Sequence, residues 1–273
     1  MTRKNILLVA GKKSHGPEGN GIHDYPAFVK TIKVLLDQSN NLKDINVQTV
    51  FDDWPEEPSI FDSADTIVFI SDGKDSDVCG EPVPFTTTPE RFNCIEKQLE
   101  RGCGFVTFHF STFFNNQEGE KIQNWNGGYF KWQNEKKERE WYSNITRKNE
   151  FIDLPTPSHE LSHGLIPFML QEEYYYNIKF HQDQKGLIPI WNIPTLPDLK
   201  DQTGGYVSWG FERKDGGRGF ATTCGHDIGK FAIDQFRKMI LNGIIWSANI
   251  PVPTEGVQST MISTNLLQPE VIA

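Results

Sequence analysis

The hydrophobic and polar positions along the chain fall into two alternating rhythms. "NILLVA" (Asn5 to Ala10) is a short unbroken apolar run closed by Gly11, the pattern of a strand buried on both faces. A glycine-rich loop, "GKKSHGPEGNGIHDYP", follows it. Phe28, Ile32, Leu35 and Leu36 then recur at helical spacing, with Pro26 in the first turn, where a missing N–H does no harm. "NVQTVF" (Asn46 to Phe51) and "TIVFI" (Thr66 to Ile70) predict the next two strands. Thr88 and Pro89 read as cap and first residue of a helix with Phe92, Ile95 and Leu99 on one face, stopped by Gly102. "GFVTFHF" (Gly104 to Phe110) predicts a fourth buried strand.

The rhythm breaks over residues 115–160, a polar and aromatic stretch that reads as an insertion serving as a lid. Short strands return in "YYNIKF", "YVSWGFE" and "GRGFATT", the last two joined by a hairpin turn at "KDGGRG". Ile233, Phe236, Ile240, Leu241, Ile244 and Ile245 mark a final helix, and residues 251–273 read as a polar tail. Alternating strands and helices predict an α/β fold, a doubly wound, mostly parallel sheet flanked by helices. We expect one domain over 1–250.

Composition narrows the partners. No run of about 18 apolar residues exists, so no membrane partner is expected. The charge of −9, with basic residues grouped only around Lys131 to Arg139, offers little to a phosphate backbone, so no nucleic acid is expected either. Four cysteines without CxxC spacing read as free thiols of a reducing, cytoplasmic setting, and the opening "ILLVA" is too short for an export signal core.

In an open α/β sheet ligands bind beyond the carboxyl ends of the strands, which selects particular polar residues. These are His15, Glu18, His23 and Asp24 after the first strand, Asp72 after the third, and His109 with Ser111 and Thr112 after "GFVTF". Glu172 and Glu173 lie in "QEEYYY", and Cys224, His226 and Asp227 follow "GRGFATT". Asp24 and Asp227 have an alternative use as helix caps. His109 interrupts an apolar strand, where an unpartnered imidazole would cost several kcal/mol. Cys224 reads as a packed thiol rather than a nucleophile. There is no GxSxG, Walker A or GxGxxG motif.

The segments "SHGPEGNGIHDYP", "FISDG", "GCGFVTFHFST", "HELSHGLIPFMLQEEYYY" and "GRGFATTCGHDIGKFAIDQFRKMILNGIIW" together resemble the trehalose-utilization, ThuA-like family over about residues 4–249. That resemblance implies a class I glutamine amidotransferase-like (flavodoxin-like) sheet. It also implies carbohydrate catabolism acting on a glycoside, disaccharide or keto-sugar. Glutamine amidotransferases carry a nucleophilic cysteine after a central strand; here His109 stands there, so a glutaminase is not expected. The positions carried over are His23, His109, Glu173, His226 and Asp227. The chain departs from the family pattern at "SDGKDSDVCGEPV", where Lys74, Asp75 and Asp77 replace a glycine-rich, histidine-containing loop.

The resulting expectation is a hydrolase, lyase or isomerase on sugars. His109, His226, Glu173 and Asp227 would be catalytic, with His23, Asp72, Trp209 and Tyr175 binding substrate. His23, His109 and His226 would hold a divalent metal such as Zn²⁺. The same groups could also work as metal-free acids and bases. Trp125, Tyr129, Trp132 and Trp141 offer further rings for sugar faces. The expected partner is a small-molecule carbohydrate, with self-association left open. The competing expectation is a non-catalytic sugar- or partner-binding protein that keeps the fold.

Overall fold

The computed structural model describes residues 3–17, 19–75, 80–134, 136–199 and 203–260. Glu18, Asp77, Cys79 and the end of the expected tail (261–273) lie outside the described residues.

The buried strands form one seven-stranded sheet. In chain order its strands are β1 (Lys4–Ala10), β2 (Ile45–Val50), β3 (Thr66–Ile70), β4 (Gly104–Phe108), β9 (Leu187–Asn192), β10 (Tyr206–Glu212) and β11 (Arg218–Thr222). Across the sheet the order is β2-β1-β3-β4-β11-β10-β9. The pairs from β2 to β11 are parallel, and β10 and β9 add an antiparallel edge. The "KDGGRG" turn closes the β10–β11 hairpin, with Arg213 N–H donating to Gly217 O at 2.9 Å.

Side-chain alternation divides the apolar runs between two layers. Ile6, Leu8, Val68, Ile70, Val106 and Phe108 face helices α1 (Tyr25–Asp37) and α4 (Asp234–Ser247), meeting Phe28, Ile32, Phe236 and Ile240. Leu7, Val9, Ile67, Phe69 and Phe105 face α2 (Pro89–Glu100) and α3 (Asn116–Asn126), meeting Ile95, Leu99, Ile122 and Trp125. Asp24 and Thr88 cap α1 and α2, accepting from Ala27 N and Arg91 N. Among the described residues no helix is long and apolar enough to cross a membrane.

Four expectations are corrected. The fourth strand stops at Phe108, because His109 takes a left-handed φ of 50° and opens a 3-10 turn over His109–Thr112. Much of the expected lid is built into the body. Ile122, Trp125 and Tyr129 are buried in the core beneath the sheet, β5 (Gly128–Tyr129) pairs with β8 (Lys179–Phe180), and β6 (Asn144–Ile152) pairs with β7 (Phe168–Tyr176). "YYNIKF" is not one strand but the end of β7 and a separate β8. The first part of the expected tail is packed, with Val252 and Val257 buried and Val257 N–H donating to Asn242 Oδ1.

Candidate functional site

Four chain segments meet beyond the carboxyl ends of β1, β4 and β11. The loop after β1 brings His23, the turn after β4 brings His109, β7 brings Glu173 and the turn after β11 brings His226. One donor atom from each lies within 4.8 Å of all the others. His23 Nε2 is 3.0 Å from His226 Nδ1, which is 3.4 Å from Glu173 Oε1, and that oxygen is 3.6 Å from His109 Nε2.

Local structure explains the convergence. His109 and His23 (φ 46°) both sit in the left-handed region, a cost of about 1 kcal/mol each that persists only where surrounding contacts enforce it. At β4, Ser111 Oγ accepts from Phe108 N–H, and Thr112 Oγ1 donates to His109 O at 2.7 Å. The β1 loop is sewn to the β11 turn: His23 N–H donates to His226 O, and Ile228 N–H donates to Gly21 O. The β11 turn is itself held by Glu172, whose buried carboxylate accepts from the N–H groups of Gly225, His226 and Glu173.

Partner chemistry assigns the tautomers. A carbonyl only accepts, so His109 Nδ1–H donates to Thr223 O at 2.6 Å. Its Nε2 lone pair then accepts from Tyr175 O–H at 2.8 Å, and the two rings stack at 4.5 Å. Tyr25 O–H donates to Asp72, so the tyrosine oxygen accepts from His23 Nδ1–H at 2.9 Å. His23 Nε2 is thereby left as an acceptor facing His226 Nδ1–H. Arg147 of β6 only donates: its Nε bonds Glu173 Oε2 and its Nη2 bonds His226 Nε2 at 3.1 Å.

Charge follows burial and partners. Burial drives His109 well below the ordinary imidazole range, with the neighbouring His23 adding to the shift and Glu173 opposing it. Burial also lowers His23, against the Asp72 carboxylate 3.8 Å away. Burial alone would raise Glu173 and Asp72, but both are held below the ordinary carboxylate range. His226, His109 and Arg147 do this for Glu173, and His23, Ser14 and Tyr25 do it for Asp72. The centre is two neutral imidazoles beside an ionised carboxylate.

This donor set could hold a first-row divalent metal once Tyr175 O–H leaves His109 Nε2 and His226 gives up its Nδ1 proton. A tetrahedral ion with bonds of about 2.0–2.1 Å needs ligand atoms roughly 3.3 Å apart, close to the three separations above. His109 and His23 also carry the outer oxygen partners that orient metal-bound imidazoles, Thr223 O and the Tyr25–Asp72 pair.

Residues 9–247 match the family described as ThuA, trehalose utilisation. The chain belongs to the ThuA family. Its fold resembles that of a protein described as ThuA-like from Bacteroides uniformis, at 13% identity over 90% of this chain and 91% of that one, with a TM-score of 0.60. A second, from Parabacteroides merdae, is 15% identical over 95% and 97% of the two chains, with a TM-score of 0.59. A protein from Salmonella typhimurium described as cytoplasmic shares the fold at 11% identity, covering 89% and 96%, with a TM-score of 0.51. No curated protein sequence matches.

In this ThuA-family chain the remaining candidates separate into supports and bystanders. Tyr175 and Asp72 are buried partners of His109 and His23 rather than open contacts for a substrate. Trp209 is corrected to a core residue: it is fully buried, and its indole N–H donates to Asn126 O at 2.7 Å. Asp227 caps the turn, its carboxylate accepting from Gly229 N–H at 2.7 Å, and it is not one of the four grouped donors. Cys224 is packed in the core, where burial pushes its thiol well above the ordinary range. Where the chain departs from the family pattern, Asp75 is buried against Lys131 Nζ at 2.9 Å. Sequence reasoning missed Arg147 and Tyr25. Arg147 lies in a polar stretch with no local signal, while the "HDYP" context of Tyr25 placed it beside His23 without revealing which atom it would bond.

Proposed function

We propose that this ThuA-family protein is an enzyme of carbohydrate catabolism acting on a glycoside, disaccharide or keto-sugar, working in the cytoplasm. The three-histidine, one-carboxylate centre would hold a divalent metal such as Zn²⁺. The observation that carries the reading is the convergence of His23, His109, His226 and Glu173 from four chain segments, with one ligand atom of each within 4.8 Å of the others. Cytoplasmic placement is supported by the free thiols of Cys94, Cys103 and Cys224.

A divalent ion in this centre would polarise a sugar carbonyl or hydroxyl oxygen. The chain's own groups suit proton movement beside it. Glu173, kept ionised, can accept a proton from a sugar carbon or hydroxyl. Asp72 and Tyr25 hold the Nε2 lone pair of His23 towards the centre, as Thr223 O does for His109. One observation favours a second reading, metal-free acid–base catalysis: Tyr175 O–H and Arg147 Nη2 already occupy lone pairs of His109 and His226.

Elemental analysis of protein purified without an affinity tag, with turnover of a panel of keto-sugars and disaccharides, tests these readings. About one metal per chain, lost together with turnover in His109→Ala and His226→Ala, is the expected result. Turnover that survives complete chelation would select the acid–base reading. No turnover with sugar binding intact in both variants would leave a binding protein.

A further inference from the structure

The five aromatic residues offered by the sequence as sugar platforms have different fates. Trp125, Tyr129 and Trp209 are core, and Trp132 packs against Phe130. Trp141 alone among them lines one of the described cavities. This cavity, of about 690 Å³, is bounded by Glu120, Gln123 and Asn124 of α3, by Trp141, and by Lys179 to Gln182 with Gln184. It shares no residue with the histidine centre, although the chain joins them: β7 delivers Tyr175 to His109, then runs through Asn177 into the cavity wall.

The wall is rigid where an aromatic platform needs it. Trp141 Nε1–H donates to Asn177 O at 2.9 Å, fixing the ring plane. Gln123 Nε2 donates to the carbonyls of Lys179 and Phe180 at 2.9 and 2.8 Å, tying α3 to the opposite wall. The lining balances one carboxylate, Glu120, with one ammonium, Lys179, and is otherwise rich in amides. Amides present donors and acceptors together, as sugar hydroxyls require, and the balance of Glu120 against Lys179 gives a neutral ligand no charge to oppose. The volume lies within the usual range for small-molecule sites and has room for more than one pyranose ring.

We propose that this cavity is a second carbohydrate site, taking a neutral disaccharide or an oligosaccharide end, with a ring against Trp141 and hydroxyls on Gln182, Gln184, Asn124 and Lys179. It does not depend on chemistry at the histidine centre.

Saturation-transfer NMR and titration calorimetry with maltose, cellobiose and trehalose test it. Saturable binding of at least one of these is expected in the wild type and in His109→Ala. Binding should weaken by about tenfold or more in Trp141→Ala and in the double variant Gln182→Ala/Gln184→Ala, whose exposed or half-buried side chains carry little of the fold. Absence of saturable binding for all three sugars overturns the proposal. So does binding that is unchanged in the glutamine double variant and in a folded Trp141 variant. Loss of binding in His109→Ala alone would assign the sugar to the histidine centre and overturn the second site while leaving the proposed function standing.

Discussion

The turns after β4 and β11 deliver a histidine each from neighbouring parallel strands, yet they are built by different means. At β4 the histidine follows the strand directly, is almost fully buried, and is held in a left-handed conformation by the hydroxyls of Ser111 and Thr112. At β11 the strand ends at Thr222, and His226 lies four residues on, behind Gly225 at φ 117°. That longer turn is closed locally only at its ends, where Thr222 Oγ1 accepts from Cys224 N–H and Asp227 from Gly229 N–H, and the N–H groups of Gly225 and His226 between them are held by Glu172 of β7. A short elbow can be specified by its neighbours in sequence, whereas a long one needs a clamp from elsewhere.

Three substitutions probe this difference. Gly225→Ala should have the largest effect, because its Cβ would lie 2.1 Å from Phe108 Cε1 at a backbone angle that L-residues resist. A loss of about 3 kcal/mol or more is expected in denaturant unfolding, combining overpacking with backbone strain. An unchanged midpoint would show that the β11 turn needs no special backbone.

Glu172→Gln tests the clamp through pH. Burial pushes Glu172 up to about 7 from 4.5, against the N–H donors of Glu173, Gly225 and His226. With a raised folded pKa the folded state binds more protons, so this group's contribution to stability falls as pH rises from about 4.5 to 7. The fall is at most roughly 3 kcal/mol. Unfolding measured across that window should lose this slope in the glutamine variant. A slope that persists would mean the clamp is not the titrating group.

Asp227→Ala should do least. If the carboxylate only caps the turn at Gly229 N–H, the loss is about 1 kcal/mol or less, and metal content should match the wild type. A fall in metal content would return Asp227 to the site.

The contrast also marks how far the sequence could be read. His109 was legible because it breaks an apolar strand, and His23 and His226 because they follow strand ends. Glu172 and Glu173 were both read from "QEEYYY" and the family resemblance singled out Glu173, but nothing local said that adjacent carboxylates would serve different ends. They alternate across β7, so Glu173 reaches the histidines while Glu172 reaches the backbone of the turn. The aromatic and polar stretch at 115–160 misled because its apolar residues are spaced by short, irregular elements, and their burial depends on a sheet formed mostly by other segments.

The sequence by itself determined the alternation of buried strands and amphipathic helices, and with it the carboxyl-end rim on which the histidines stand. It could do so because side-chain periodicity is a local property. Tertiary structure decided the rest: that His23 meets His226 across 203 residues of chain, that Arg147 enters from β6, and that Trp209 and Asp227 are drawn off to other bonds. Those outcomes turn on strand order and on which hydrogen-bonding atoms are brought within about 3 Å of one another, a distance that no spacing along the chain encodes.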